Sequence, residues 1–195
     1  MGTTAREPSA KRSLPSRWTR PASLMLTAGL IGALASGCSS NGSSGTPAAQ
    51  ANALVQSGLR AQSHGQTQQA LNDYLQATAK DPTNKFAYYD AGVIYQQQNN
   101  LAAAEAAYHK ALLVDPNYKP ALFNLAICLT PSDPAQAIAT YRQLLQINQN
   151  DPNVLFNLGL LLIAQNQGAE GHADLQKAIQ LQPALRSRVP AGITP

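Results

Sequence analysis

The sequence predicts an all-α fold, an α-solenoid of about four helix-turn-helix repeats preceded by a signal peptide and a flexible linker. Three observations carry this reading: self-similarity at a period of 34 residues, apolar residues at helical spacing twice in each period, and small residues at fixed places within it. Charged residues make up 12% of the chain and Ala and Gln are abundant, which favours helix over sheet.

The amino-terminal segment reads as a targeting sequence. Arg6, Lys11, Arg12, Arg17 and Arg20 precede an uncharged stretch at 22–36, and Glu7 is the one acid among them, so this end accounts for the whole net charge of +4. The body is neutral and lacks the electrostatic footprint of a nucleic-acid binder. Fifteen uncharged residues suit a signal-peptide core and fall short of the about 20 that span a bilayer as a helix.

Residues 1–37 are therefore assigned to a signal peptide, and residues 38–50, with the run SSNGSSGTPAAQ, to a modified Cys38 and a flexible linker. The stretch Leu34-Ala35-Ser36-Gly37-Cys38 resembles a bacterial lipobox, with Ala35 where that family usually has Leu. The resemblance implies lipid on the Cys38 sulfur, cleavage just before it, and a membrane anchor outside the cytoplasm. Ala33-Leu34-Ala35 also fits ordinary secretory cleavage, which would release a soluble secreted or periplasmic protein, and an uncleaved anchor is a third outcome.

The repeats occupy residues 51–183, divided into 51–84, 85–118, 119–151 and 152–183. Gly58, Ala70, Tyr74, Ala77 and Pro82 recur 34 residues later as Gly92, Ala104, Tyr108, Ala111 and Pro116. ALFNLAICL at 121 returns as VLFNLGLLL at 154, one residue short of the period. Within each unit a turn separates two helical segments: Ser63-His64-Gly65, Gln98-Asn99-Asn100, Pro131-Ser132-Asp133 and Asn166-Gln167-Gly168. Asp133-Pro134 opens a helix, while Asp81-Pro82 and Asp115-Pro116 close units.

Gly58, Gly92, Ala126 and Gly159 mark one small position of the first helix. Glycine there costs about 1 kcal/mol against alanine, so a packing reason is expected. The expected reason is close approach to the small residues of the second helix, Ala70, Ala104, Ala137 and Gly171. One unit cannot bury its apolar face alone, and stacking buries it. Residues 184–195 form a tail too short to cover the last helix, which leaves an exposed end open to self-association.

These residues resemble the tetratricopeptide repeat. The second unit matches that pattern best, through Tyr88, Gly92, Tyr95, Ala104, Tyr108, Ala111 and Pro116. The first unit has Ser57 and Ala61 at pattern positions, the third has Gln149 in place of Pro, and the fourth has Leu175 in place of the second aromatic. The resemblance implies a concave groove lined by first helices. Val55, Tyr89, Phe123 and Phe156 would face it, followed by Gln56, Asp90, Asn124 and Asn157, and one turn on by Leu59, Val93, Ile127 and Leu160. Gln56, Tyr89, Asp90, Phe123, Asn124, Phe156 and Asn157 are thus the candidate partner-binding residues. Amide side chains both donate and accept, which suits the main chain of an extended segment, and aromatics supply contact area. Some members of the family clamp a carboxyl terminus with basic residues, and Val55 and Leu59 occupy the matching places here.

The implied function is a non-enzymatic scaffold that binds a protein or peptide partner. A soluble structural protein, or an accessory subunit of a cell-envelope assembly or secretion machine, is the alternative. His64, His109 and His172 have no metal-ligand spacing, and no phosphate loop, dinucleotide fingerprint or nucleophile elbow is present, so no cofactor, metal or catalytic residue is expected. Cys128 reads as a small buried apolar residue.

Overall fold

The computed structural model describes residues 45–193. The expected signal peptide and Cys38 lie outside the described residues. The described residues fold as eight α-helices and a short 3-10 helix, without strands: α1 (Pro47–Ser63), α2 (Thr67–Lys80), α3 (Lys85–Gln97), α4 (Leu101–Val114), α5 (Lys119–Leu129), α6 (Pro134–Ile147), α7 (Pro152–Ala164), α8 (Gly168–Leu181) and the 3-10 helix Pro183–Arg188. Consecutive helices pair as α1/α2, α3/α4, α5/α6 and α7/α8, and each pair packs on the next. This is the expected solenoid.

Helix α1 begins inside the segment expected to be linker. Thr46 caps α1 by accepting from the Ala49 amide, and Pro47 sits in the first turn, so residues 47–50 are already helical. Asn84, Asn100, Asp133 and Asp151 cap their helices in the same way.

The turns repeat as faithfully as the helices. Gly65, Asn99 and Asn166 hold left-handed backbone at equivalent places, with φ of 73°, 58° and 61°. Behind them the amides of Gln66, Asn100 and Gln167 donate to the carbonyls of Ala61, Tyr95 and Leu162 at 2.8–2.9 Å. The third unit lacks one residue at this place. Its turn closes instead by Asp133 donating to Leu129 at 2.7 Å, and α5 is the shortest helix at 11 residues because Pro131 follows it.

Between units, Asp81 and Asp115 accept from the amide two residues on, and so does Asn148, through its Oδ1 and the Asn150 amide. The turn after α6 therefore survives without its proline. The Gln149 carbonyl accepts from Lys177, as the Pro116 carbonyl accepts from Gln143. Within the first unit Asn84 donates to Asn52 at 3.0 Å, and within the second Lys85 pairs with Asp115.

The recurrent glycine has a different neighbour from the one expected. A Cβ on Gly58 would lie 2.5 Å from Cε1 of Tyr74, and on Gly92 2.6 Å from Cε1 of Tyr108. In the first two units glycine makes room for an aromatic ring, not for a small residue. Small meets small in the fourth unit: a Cβ on Gly159 would lie 2.8 Å from the Gly171 carbonyl oxygen, and Leu175 stands there in place of tyrosine. The hydroxyls of Tyr74 and Tyr108 donate to Gln62 and Gln96 at 3.0 and 2.7 Å. In the fourth unit both positions are apolar, Ile163 and Leu175.

The tail also departs from expectation. The 3-10 helix folds onto the last pair, and Leu185, 1% exposed, joins Leu155, Phe156, Leu175, Ala178 and Ile179 in a terminal cluster. The last helix is thus partly covered, which removes the premise of an open end. Cys128 is a free, buried thiol, and burial pushes it up to about 11.

Candidate functional site

The first helices line one face of the array, where α1 approaches α3 and α3 approaches α5. Between α5 and α7 this face opens into a groove of about 940 Å³. Tyr141 and Leu144 of α6, both nearly fully buried, also contribute to the lining, with Ile127 of α5 and Leu160 of α7. Lys119 stands at the start of α5, Asp151 precedes α7, and Arg188 reaches in from the 3-10 helix.

Of the residues expected to face a partner, Tyr89, Phe123, Asn124 and Asn157 line this groove. Tyr89 comes from the second unit and sits at its edge. Its ring lies 5.9 Å from that of Tyr108 and 5.5 Å, edge-on, from that of Tyr118, which meets exposed Phe86 at 5.8 Å. Phe123 packs edge-on against Tyr141 at 6.1 Å.

Asn124 is anchored. Its Nδ2 donates to the hydroxyls of Tyr108 and Tyr89 at 3.3 and 3.4 Å. With the amide nitrogen so engaged, Oδ1 is the atom left to accept a hydrogen bond from an incoming main chain. Asn157, half-buried, has no side-chain hydrogen bond among the described residues and keeps both functions for a partner.

The other three candidates lie elsewhere. Gln56 is exposed on α1, away from the groove lining. Phe156, 2% exposed, belongs to the terminal cluster, with the Arg188 guanidinium 5.1 Å above its ring. Its position in the repeat points outward, and the folded tail buries it. Asp90 is half-buried on α3, and burial pushes its carboxyl up to about 6. Val55 is buried in the first-unit core, whereas Leu59 is exposed.

Sequence reasoning missed Arg188, which lies outside the repeat. It also missed the floor residues Tyr141 and Leu144, which belong to a second helix.

Among the described residues no group of His, Cys, Asp or Glu could hold a metal ion, and no helix is long and apolar enough to cross a membrane.

Comparison with known proteins agrees with this architecture. Residues 55–120 match a family model described as tetratricopeptide repeat, and residues 133–168 one described as TPR repeat, together more than half of the chain. The chain is 39% identical over 82 residues to a probable UDP-N-acetylglucosamine--peptide N-acetylglucosaminyltransferase SPINDLY of Hordeum vulgare, and 36% identical over 77 residues to the protein of that name in Petunia hybrida. These alignments take in 42% and 40% of this chain but span 9% and 8% of those much longer relatives, and the likeness is confined to repeats.

Among solved structures, MamA of Desulfovibrio magneticus superposes with a TM-score of 0.65 at 19% identity, covering 69% of this chain and 76% of that one. A tetratricopeptide repeat protein of Parabacteroides merdae gives 0.63 at 24%, covering 69% and 54%. The first TPR of Spaghetti, bound to an HSP90 peptide, gives 0.59 at 18%, covering 61% and 95%. At these identities the likeness is one of fold. Through its period, paired helices and family-model matches, the chain belongs to the tetratricopeptide-repeat family.

Proposed function

We propose that this chain is a non-enzymatic scaffold that holds an extended segment of a protein partner in the groove between α5 and α7. The observation that carries the reading is the convergence there of Asn124 and Asn157 with Tyr89 and Phe123. Asn157 and the Oδ1 of Asn124 grip the main chain of the segment, and Phe123, Ile127 and Leu160 take its apolar side chains. The bound HSP90 peptide on a neighbour of the same fold supports a peptide as the class of partner.

Affinity capture with the intact chain and with an Asn124→Ala, Asn157→Ala double variant tests this. The variant should keep its helicity and lose its captured partner. Equal recovery of partner by both chains would refute the groove as the docking site.

The scaffold is proposed to act outside the cytoplasm, tethered by lipid on Cys38, because a basic segment, a short apolar core and a lipobox-like stretch follow one another. A Ser/Gly-rich spacer then separates anchor from repeats. Mass spectrometry of the mature amino terminus tests this part independently: an acylated Cys38 is expected, and an unmodified terminus at Ser36 would replace the anchor with a soluble exported protein.

A further inference from the structure

The geometry points to Arg188 as a specificity-determining residue that selects partner segments carrying an acidic side chain. The inference rests on the peptide reading of the groove and adds a chemical class to its occupant.

Three charged residues line the groove, Lys119, Asp151 and Arg188. They are not equivalent. Asp151 is already occupied: its Oδ1 accepts from the amides of Asn153 and Val154 at 3.1 and 3.2 Å, and it sits at the positive end of α7. Lys119 and Arg188 form no ion pair among the described residues, whose two ion pairs are Lys85–Asp115 and Arg142–Glu170. The charge left unanswered in the groove is therefore positive, although the repeat body as a whole is neutral.

Arg188 is the better placed of the two cations. Its guanidinium lies over the Phe156 ring at 5.1 Å, and Leu185 anchors the short helix that carries it. The ring beneath it restrains the guanidinium, and a restrained fork suits a carboxylate bidentately. Phe156 also adjoins Asn157 in α7, so a segment gripped by that asparagine would place a side chain within reach of Arg188. Apolar surroundings strengthen the pair relative to one in open water. None of this involves the carboxyl-terminus clamp of related repeats, whose places are Val55 and Leu59 here.

The test is selection from a random heptapeptide library displayed on phage, against the full chain and its Arg188→Gln variant. Displayed heptapeptides have no free carboxyl terminus, so acidic enrichment reports side chains. The wild-type pool should carry Asp or Glu at one fixed register beside apolar residues. The R188Q pool should keep the apolar pattern and lose the acid. Changing that acid to its amide in the best selected peptide should weaken binding about 5–10-fold for the wild type and less than about 2-fold for R188Q, as for a partly desolvated charge pair. Apolar enrichment without an acid, or an acid preference that survives R188Q with helicity intact, would overturn the role of Arg188 and leave the groove standing. Failure of the wild-type chain to select any peptide would overturn both.

Discussion

Gly92 and Tyr108 are fitted to each other so closely that a single methyl group on the glycine would lie 2.6 Å from the ring. The ring cannot swing aside, because its hydroxyl donates to Gln96 and accepts from Asn124. Overpacking of this kind costs about 1–3 kcal/mol, and the better helix propensity of alanine returns about 1 kcal/mol at most. Gly92→Ala should therefore lower stability, by up to about 2 kcal/mol after both effects. Urea unfolding followed by circular dichroism measures it, and a stabilised variant would contradict the tight fit.

The Tyr108 hydroxyl serves two partners and that of Tyr74 serves one. Removing a buried hydroxyl costs about 0.5–1.5 kcal/mol per hydrogen bond lost. Tyr108→Phe should therefore destabilise more than Tyr74→Phe. It should also weaken partner binding, because Asn124 loses an anchor. Unfolding midpoints of the two variants side by side decide the order.

Asp90 gives the fold a dependence on pH. Its carboxyl titrates near 6 in the fold because of burial, and near 3.9 in an unfolded chain. Between those values the folded state holds the extra proton, so stability falls as pH rises from about 4 to about 6 and stays lower above. Asp90→Asn carries no charge at any pH. It should match the wild type near pH 4 and exceed it at pH 7.5 by about 1–2 kcal/mol, after allowance for partial solvent screening. Denaturation curves at the two pH values give the difference directly.

Leu185 joins the tail to the last repeat. Leu185→Ala should cost about 2–4 kcal/mol, the usual range for a fully buried leucine. It should also uncover Phe156 and release Arg188 from its stacked position. A lower melting temperature accompanied by binding of a hydrophobic dye would report both. An unchanged melting temperature would mean that the 3-10 helix contributes nothing to the cap.

The period, paired helices and turns were legible because each rests on local chemistry, repeated: a proline after aspartate, a turn between two helical segments, a small residue every 34 positions. The partner of that small residue was not legible, because two lengths of side chain solve the same packing problem: glycine with tyrosine in two units, glycine with glycine in another. Asn124 and Asn157 reached the groove as their repeat positions implied. Phe156 occupies an equivalent position to Phe123 but is buried, because burial at the end of an array depends on a segment that no repeat pattern describes. Arg188 was invisible for the same reason.

The first helices of the outer repeats are filled unevenly, and that bears on the order in which the repeats open. α1 buries Ala51, Val55, Gly58 and Ala61, whereas α7 buries Val154, Leu155, Phe156, Leu158, Gly159, Leu161 and Leu162. Helices touch mainly their neighbours along the chain, so one end opens without dragging the other with it. Amide protons near Pro47 are therefore expected to exchange with solvent before those of α7. Opening that starts at the amino-terminal repeat would leave the half that carries the groove closed.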